Sequence, residues 1–427
     1  MRPLRRSLPP PTILGSIALM LLAGSAAAED PLTEEQYIQR VLTASLEARV
    51  AEAEAALGRA EAVGAGQWPN PGLEWQRQRA GSGRRTGESQ DMVLASIPLV
   101  LSGRLGLEAE AAERGAQAAE ARLSRARAEL HREATRAFAE VLAAQQRRII
   151  LEESVAELKR LGEAIAVRER AGEAAGYERL RIEVEVAAVE DGLRGALLEQ
   201  RQADTDALRL LGPEVKTLPP LQGSLAPVRG GPDGASLLAE LEARRADVRA
   251  LTLEAQGAES ARRAAARSWI PEPTVSAGAQ FLDVGQEGAG AGYVVGLSLP
   301  LPFFQRRQGE AARAEARRGL AEARRASLLH AARAQLTSAL DAVKGWRERL
   351  VRHREDVLAR AEELRRIAGT AYRGGSADLL VLVDAERASR EARLTAVTLA
   401  VAVVEAEADL LLLAGAYDGA APRSSTR

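Results

Sequence analysis

Residue types that carry covalent or metal chemistry are scarce in this chain. It has three histidines, His131, His330 and His353, far apart in sequence, and no cysteine. Without thiolates there can be no disulfide, zinc–thiolate site, iron–sulfur cluster, cysteine nucleophile or lipid anchor on Cys. No Gly-rich nucleotide loop occurs, and His, Asp and Glu do not gather at metal-ligand spacing. Ser45, Ser102 and Ser154 lie in no nucleophile motif. The sequence therefore predicts no enzyme, no cofactor and no metal site, with the histidines as surface or seam residues of helices. What remains is backbone chemistry at two glycine turns, Arg170-Ala171-Gly172-Glu173-Ala174-Ala175-Gly176 and Tyr372-Arg373-Gly374-Gly375-Ser376. Each ends a long stretch without proline, as a helix-stop signal does.

The elements that hold those turns follow from composition and period. The chain has 427 residues, 46% hydrophobic and 27% charged, so it is neither disordered nor a helical membrane protein. Aromatics are only 3%. Ala and Leu supply much of the apolar content, with Glu and Arg beside them, a mixture that reads as long helices packed through small side chains. The 58 basic and 59 acidic residues nearly cancel, and nothing points to nucleic acid. Arg2, Arg5 and Arg6, the apolar run 13–23 and Ala26-Ala27-Ala28 form the three parts of a secretory signal, predicted to be removed after Ala28. No later run reaches the roughly 18 apolar residues of a spanning helix.

Landmarks recur at one spacing. Trp68-Pro69-Asn70-Pro71 and Ile270-Pro271-Glu272-Pro273 are offset by 202 residues, as are Ile97-Pro98-Leu99-Val100 and Leu299-Pro300-Leu301-Pro302. Ala171-Gly172 and Arg373-Gly374 keep that offset, and Leu211-Gly212 meets Ala414-Gly415 within one residue of it. Proline and glycine mark the ends of elements anywhere, but a constant offset requires duplication. The expected organisation is a signal peptide over 1–28, a first repeat over 29–212, a Pro/Gly-rich linker over 213–234, a second repeat over 235–415 and a flexible tail over 416–427.

Inside each repeat the pattern runs helix, two strands, long helix, returning helix. The first helices are expected over 32–63 and 235–268, ended by the Pro-x-Pro pairs. Then the period changes to two. Val275, Ala277, Ala279 and Phe281 alternate with Thr274, Ser276, Gly278 and Gln280; Tyr293, Val295, Leu297 and Leu299 alternate with Val294, Gly296 and Ser298. Leu73 and Trp75 followed by Val93, Ala95 and Ile97 repeat the pattern in the first half. Runs of about ten residues suit tilted strands that cross a bilayer. Leu73, Trp75, Val275, Phe281, Tyr293, Val295 and Leu297 then face lipid, while the small Thr274, Ser276, Gly278, Gly296 and Ser298 face a wet lumen. Arg77 and Arg79 fall on the lipid side, so they lie at headgroup level or the strand is shorter. Further on, Leu336, Leu340, Val343, Leu350, Val357, Ala361 and Leu364 keep a heptad register, with Arg347 and Arg354 on its seam. Seam arginines mark solvated positions or interhelix pairs with Glu more readily than a gate.

Two hairpins with an apolar face cannot stand alone in lipid, where every unpaired backbone group is costly. Four strands are too few to close a barrel. Several chains contributing four strands each would close one, with the helices continuing the cylinder below the membrane.

This arrangement resembles the TolC-like outer-membrane efflux proteins. The residues that carry the likeness are the Pro-x-Pro lead-in to each first strand, Val295-Gly296-Leu297-Ser298-Leu299-Pro300-Leu301, Arg373-Gly374-Gly375-Ser376 and Ala246-Asp247-Val248-Arg249-Ala250. Gln67-Trp68-Pro69-Asn70-Pro71-Gly72-Leu73-Glu74 and Leu101-Ser102-Gly103-Arg104 are similar to the cobalt–zinc–cadmium branch. The resemblance implies a mainly α fold with a small β part, assembled as a homotrimer with a 12-stranded barrel in the outer membrane and a periplasmic α-barrel. It implies a passive duct for heavy-metal cations or drugs. The helical tips, with Arg170, Gly172, Gly176, Arg373, Gly374 and Gly375, would dock a periplasmic adaptor (membrane fusion protein) that links to an inner-membrane pump of the resistance–nodulation–division type. The alternative reading is a periplasmic coiled-coil scaffold without a pore, which accounts for the helices but not for the paired hairpins.

Overall fold

The computed structural model describes residues 31–80, 88–170, 176–225, 234–283 and 288–418. The proposed signal segment, Gly172 and most of the expected tail lie outside these residues. Within them the first half runs α1 (Glu34–Ala44), α2 (Leu46–Gly64), β1 (Gly72–Ala80), β2 (Glu88–Pro98), α3 (Arg104–Arg170) and α4 (Gly176–Leu210). The second half runs α5 (Gly234–Arg244), α6 (Ala246–Ala266), β3 (Thr274–Asp283), β4 (Ala289–Ser298), α7 (Gln308–Arg352), α8 (Ala359–Arg373) and α9 (Leu379–Leu413). The 67 residues of α3 span roughly 100 Å at 1.5 Å each.

The helix expected over 32–63 is two helices. Ser45 leaves helical geometry, and its hydroxyl accepts from Ala48 N–H at 3.0 Å, capping α2. The same break parts α5 from α6 at Arg245, which has no capping hydroxyl. There the carboxylate of Asp418, from the far end of the described chain, accepts from Ala246 N–H at 2.7 Å. No periodicity rule foresees a cap supplied from so far away. The Pro-rich stretch between the halves is partly ordered by pairing. Leu32 donates to Pro220 O (2.8 Å) and accepts from Gln222 (2.9 Å), while Leu221 and Leu225 are buried.

One antiparallel sheet holds all four strands in the order β1-β2-β3-β4. Its two hairpins share a register. Gly72 faces Ser96 in the first, and Thr274 faces Ser298 in the second, each partner 202 positions on. The main hydrophobic cluster joins α1, the middle of α3, the end of α4 and α9 around Tyr37, Phe138 and Val403. Tyr37 stacks its ring obliquely on Phe138 (centroids 5.9 Å) and donates its hydroxyl to Ala207 O at 2.8 Å. A second cluster, with Leu158, Ile165, Ile182, Leu379 and Val383, ties the ends of the two helical hairpins together.

The expected heptad in the second half holds only in part. Leu336, Val343 and Leu350 are buried, but Val357 and Leu364 are each 48% exposed. Between them the helix widens into one π-turn, His353–Leu358, and His353 Nε2 lies 2.8 Å from Ala392 O. At and past that turn Val357 and Leu364 face outward, while Ala361 keeps its expected place on the seam and Ala368 is buried seven residues farther on.

Candidate duct lining and docking tips

The sheet separates the two residue sets by face. Leu73, Trp75, Val275, Phe281, Tyr293, Val295 and Leu297 all stand exposed on one side, with Tyr293 at 87%. Thr274, Ser276, Gly278 and Gly296 lie on the other side, partly covered, and Ser298 is exposed beside them. Strand alternation alone does this once the register is set. The small residues also permit the strands to approach. A Cβ built on Gly278 would stand 1.9 Å from Val93 O and 2.8 Å from Leu94 Cα, so any side chain there would push β2 and β3 apart. Arg77 and Arg79 do share the apolar face. Arg77 lies opposite Asp91 with its Nε 3.9 Å from the carboxylate, so the charge is partnered at the turn end of the strands. Trp68, Trp269, Phe303 and Phe304 are exposed at the other end, beside the helices.

The strand base is fixed to the helices by a charged knot that period-based reading did not find. Arg104, the first residue of α3, donates to both Glu272 oxygens (3.2 and 3.0 Å) and to Glu108 (2.9 Å); Ser102 Oγ donates to Glu272 at 2.7 Å. Hydrogen bonds from Arg104 hold the Glu272 carboxyl below its ordinary value. The signal was present in two sequence motifs, the Ser-Gly-Arg after β2 and the Glu inside Pro-Glu-Pro, 168 residues apart from Arg104. Only the fold brings them together.

The tip at the end of α8 is built by capping. Gly374 N–H donates to Thr370 O (3.0 Å), Gly375 N–H to Tyr372 O (3.1 Å) and Ser376 N–H to Ala371 O (2.9 Å). Gly375 takes φ +73, open to glycine at little cost, and nothing lies within 4 Å of where its Cβ would be. Asp378 then caps α9, accepting from Val381 N–H at 3.1 Å. Arg373 is exposed. On the first hairpin, Arg170 turns back onto Ala166 O at 3.1 Å, and Arg179 pairs with Glu169 at 3.0 Å next to Gly176. The two ends meet, because Arg168 donates to the Tyr372 hydroxyl at 3.3 Å and lies over its ring at 5.8 Å. Of the expected tip residues, Arg170, Gly176, Arg373, Gly374 and Gly375 are therefore near one end of the helices, and Gly172 lies outside the described residues.

Behind the tips, α4 and α9 are pinned by a buried carboxylate. Glu185 accepts from Arg390 at 3.0 Å and from Arg387, and its side chain is 8% exposed. Burial alone would raise its pKa, but the hydrogen bonds from Arg387 and Arg390 outweigh it and hold the carboxyl below its ordinary value. Arg347, one of the two seam arginines, pairs with buried Glu407 of α9 at 2.7 Å, an interhelix pair of the expected kind. Arg354 stands exposed in the π-turn. Among the described residues no helix is long and apolar enough to cross a membrane, and no group of three or more His, Cys, Asp and Glu could hold a metal ion.

Comparison with known proteins gives this geometry a context. The model of the outer membrane efflux protein family matches residues 237–416. The cobalt-zinc-cadmium resistance protein CzcC of Cupriavidus metallidurans is 27% identical over 336 residues, 76% of each chain. The nickel-cobalt-cadmium resistance protein NccC of Alcaligenes xylosoxydans xylosoxydans is 25% identical over 313 residues, 72% of this chain and 70% of that one. The solved structure of CusC superposes with a TM-score of 0.72 at 18% identity, covering 89% of this chain and 91% of CusC. The family model is that of outer membrane efflux proteins, and CusC is described as forming a transmembrane channel. Residues 237–416 thus match the outer membrane efflux protein model, on a chain that shares the fold of CusC along 89% of its length.

Proposed function

We propose that three copies of this chain form a passive outer-membrane duct that exports heavy-metal cations. Each copy is a duplicated unit that supplies four strands to a 12-stranded barrel and two helical hairpins to a periplasmic tunnel. The observation that carries this reading is the sheet itself, with an apolar, exposed face, a small-residue face and two edges without a partner strand among the described residues. A closed barrel satisfies those edges and offers the apolar face to lipid. The lumen-facing set is Thr274, Ser276, Gly278, Gly296 and Ser298. The tips, through Arg373, Gly374, Gly375, Arg170, Gly176 and the undescribed Gly172, dock a periplasmic adaptor that joins the duct to an inner-membrane pump of the resistance–nodulation–division type. The heavy-metal assignment is supported by the names of the relatives, CzcC and NccC. A duct needs no resident metal, since selectivity can reside in the pump.

Two measurements test the proposal. Purified protein in mild detergent is expected to have the mass of a trimer and to conduct ions across a planar lipid film; a monomer, or a silent film, overturns the duct. Deletion of the gene is expected to lower tolerance to cobalt, zinc or cadmium salts; unchanged metal tolerance with lost tolerance to dyes or antibiotics overturns the cargo.

A further inference from the structure

The apolar face of the sheet does not stop where the strands do. β4 ends at Ser298, yet Leu299, Leu301 and Phe303 stay exposed on the same alternate positions as Tyr293, Val295 and Leu297. On the lead-in to β3, the alternation that carries Val275 runs back through Pro273 and Pro271 to exposed Trp269. Phe304 beside them, at 92%, is the most exposed large apolar side chain among the described residues. Two exposed arginines stand at this rim without a carboxylate partner among the described residues. Arg267 donates Nη1 to the carbonyls of Ser102 and Gly103, both at 3.2 Å, and Arg306 donates Nε to Pro302 O at 3.2 Å. Their neighbours differ, for Arg104 is held by Glu272 and Glu108, and Arg307 lies 3.4 Å from Glu108 and 3.3 Å from Glu310. Arg306 is the counterpart of Arg104 at the 202-residue offset, but it forms no such pair. Ser268, next to Arg267, donates its hydroxyl to Arg306 O at 2.5 Å and so fastens the two loops side by side.

We propose that this rim binds the phosphate group of a phospholipid, with preference for an anionic headgroup, at the periplasmic surface of the outer membrane. The order of groups along the chain is the order of a lipid leaflet. Leu297, Leu299 and Leu301 suit the depth of the acyl chains. Trp269 and Phe303 suit the boundary, where aromatic rings collect. Arg267 and Arg306 then stand at the level of the phosphates. A guanidinium presents parallel N–H donors that match two phosphate oxygens at once, and the N–H groups of both arginines that are not used on carbonyls have no acceptor among the described residues. A soluble acidic partner would satisfy the charges but leave the adjoining apolar row in water, whereas a phospholipid satisfies both. The proposal rests on the membrane barrel proposed above, and the measurement below separates the two.

The test is native mass spectrometry of the full chain in mild detergent, with equal amounts of phosphatidylglycerol and phosphatidylcholine of the same chains added. An arginine held at an anionic surface gives about a fivefold enrichment, so the pair is expected to favour phosphatidylglycerol adducts by roughly thirtyfold. R267Q with R306Q should bring the ratio down to about one. R267K with R306K keeps the charge and should stay at least about fivefold above the glutamine variant. R352Q with R360Q removes two exposed arginines of the helices, far from the sheet, and should leave the ratio of the unmodified protein in place. An unchanged ratio in R267Q with R306Q, or an equal fall in R352Q with R360Q, overturns the site. Displacement of the lipid by an excess of inorganic phosphate overturns it too, since the rim would then hold a free anion. These ratios are read on protein of trimeric mass; a monomeric mass for the unmodified protein overturns the duct instead.

Discussion

Glu185 offers the sharpest test of what holds the tip end of the helices together. Replacing it by Gln keeps the shape and one acceptor but removes the negative charge. The side chains involved are unequally buried, with Glu185 8%, Arg390 11% and Arg387 46% exposed. Arg387 can turn to water, so its loss is worth at most about 1 kcal/mol. Arg390 cannot, and a cation left in an enclosed site without its carboxylate costs more. Weighing the two, Glu185→Gln should destabilise the packing of α4 on α9 by about 3 kcal/mol. That corresponds to a roughly hundredfold rise in local opening. The assay is native-state hydrogen exchange in detergent. Amides near Glu185 in α4 and near Arg390 in α9 should lose about a hundredfold in protection, while amides of the sheet should not change. Adding Arg390→Met should recover most of the loss, because the stranded cation is then gone. Acid should mimic the mutation. Pairing holds Glu185 below its ordinary 4.5, so its contribution is complete at neutral pH and is lost as the pH falls below that value. Unchanged protection in both helices at pH 7, or an equal loss in the sheet, would refute the reasoning.

Three further outcomes are expected. Replacing both Gly374 and Gly375 by Trp should abolish resistance while leaving trimers intact, since the bulk falls on an exposed turn; wild-type resistance would sink the tip assignment. Gly278→Val should cut the yield of heat-modifiable, folded barrel at least tenfold, because its Cβ has no room beside Val93 O; a normal yield means that β2 and β3 are not so close. Glu272→Gln should lower stability by about 1–2 kcal/mol through loss of the charged hydrogen bonds to Arg104, read as a lower Tm for the helical signal; an unchanged Tm would mark the knot at the strand base as energetically idle.

Much of the candidate site was legible because it depends on local rules. Alternation fixes which of Val275 and Ser276 share a face whatever surrounds them, and the Pro-x-Pro pairs stop helices wherever they occur. The glycines at 374 and 375 announce a helix end by their own conformational freedom. The register of each hairpin was not legible, nor was the pairing of β2 with β3 across the 176 positions between Pro98 and Thr274. The heptad reading fails at Val357 and Leu364, which face outward at and beyond one π-turn, although Ala361 stays buried as expected, and the sequence carries no mark of that turn.

By itself the sequence determined the helices, the four amphipathic strands, the two turns and the scarcity of reactive groups, since each is set by a period or a residue type within a few turns of chain. Tertiary structure alone decided which charges meet. Arg104 finds Glu272, Glu185 finds Arg387 and Arg390, and Asp418 caps the helix that starts at Ala246. Those pairs are 168 to 205 residues apart. A charge pattern spread evenly along long helices offers each arginine many carboxylates, and only the packing of one hairpin on another selects among them.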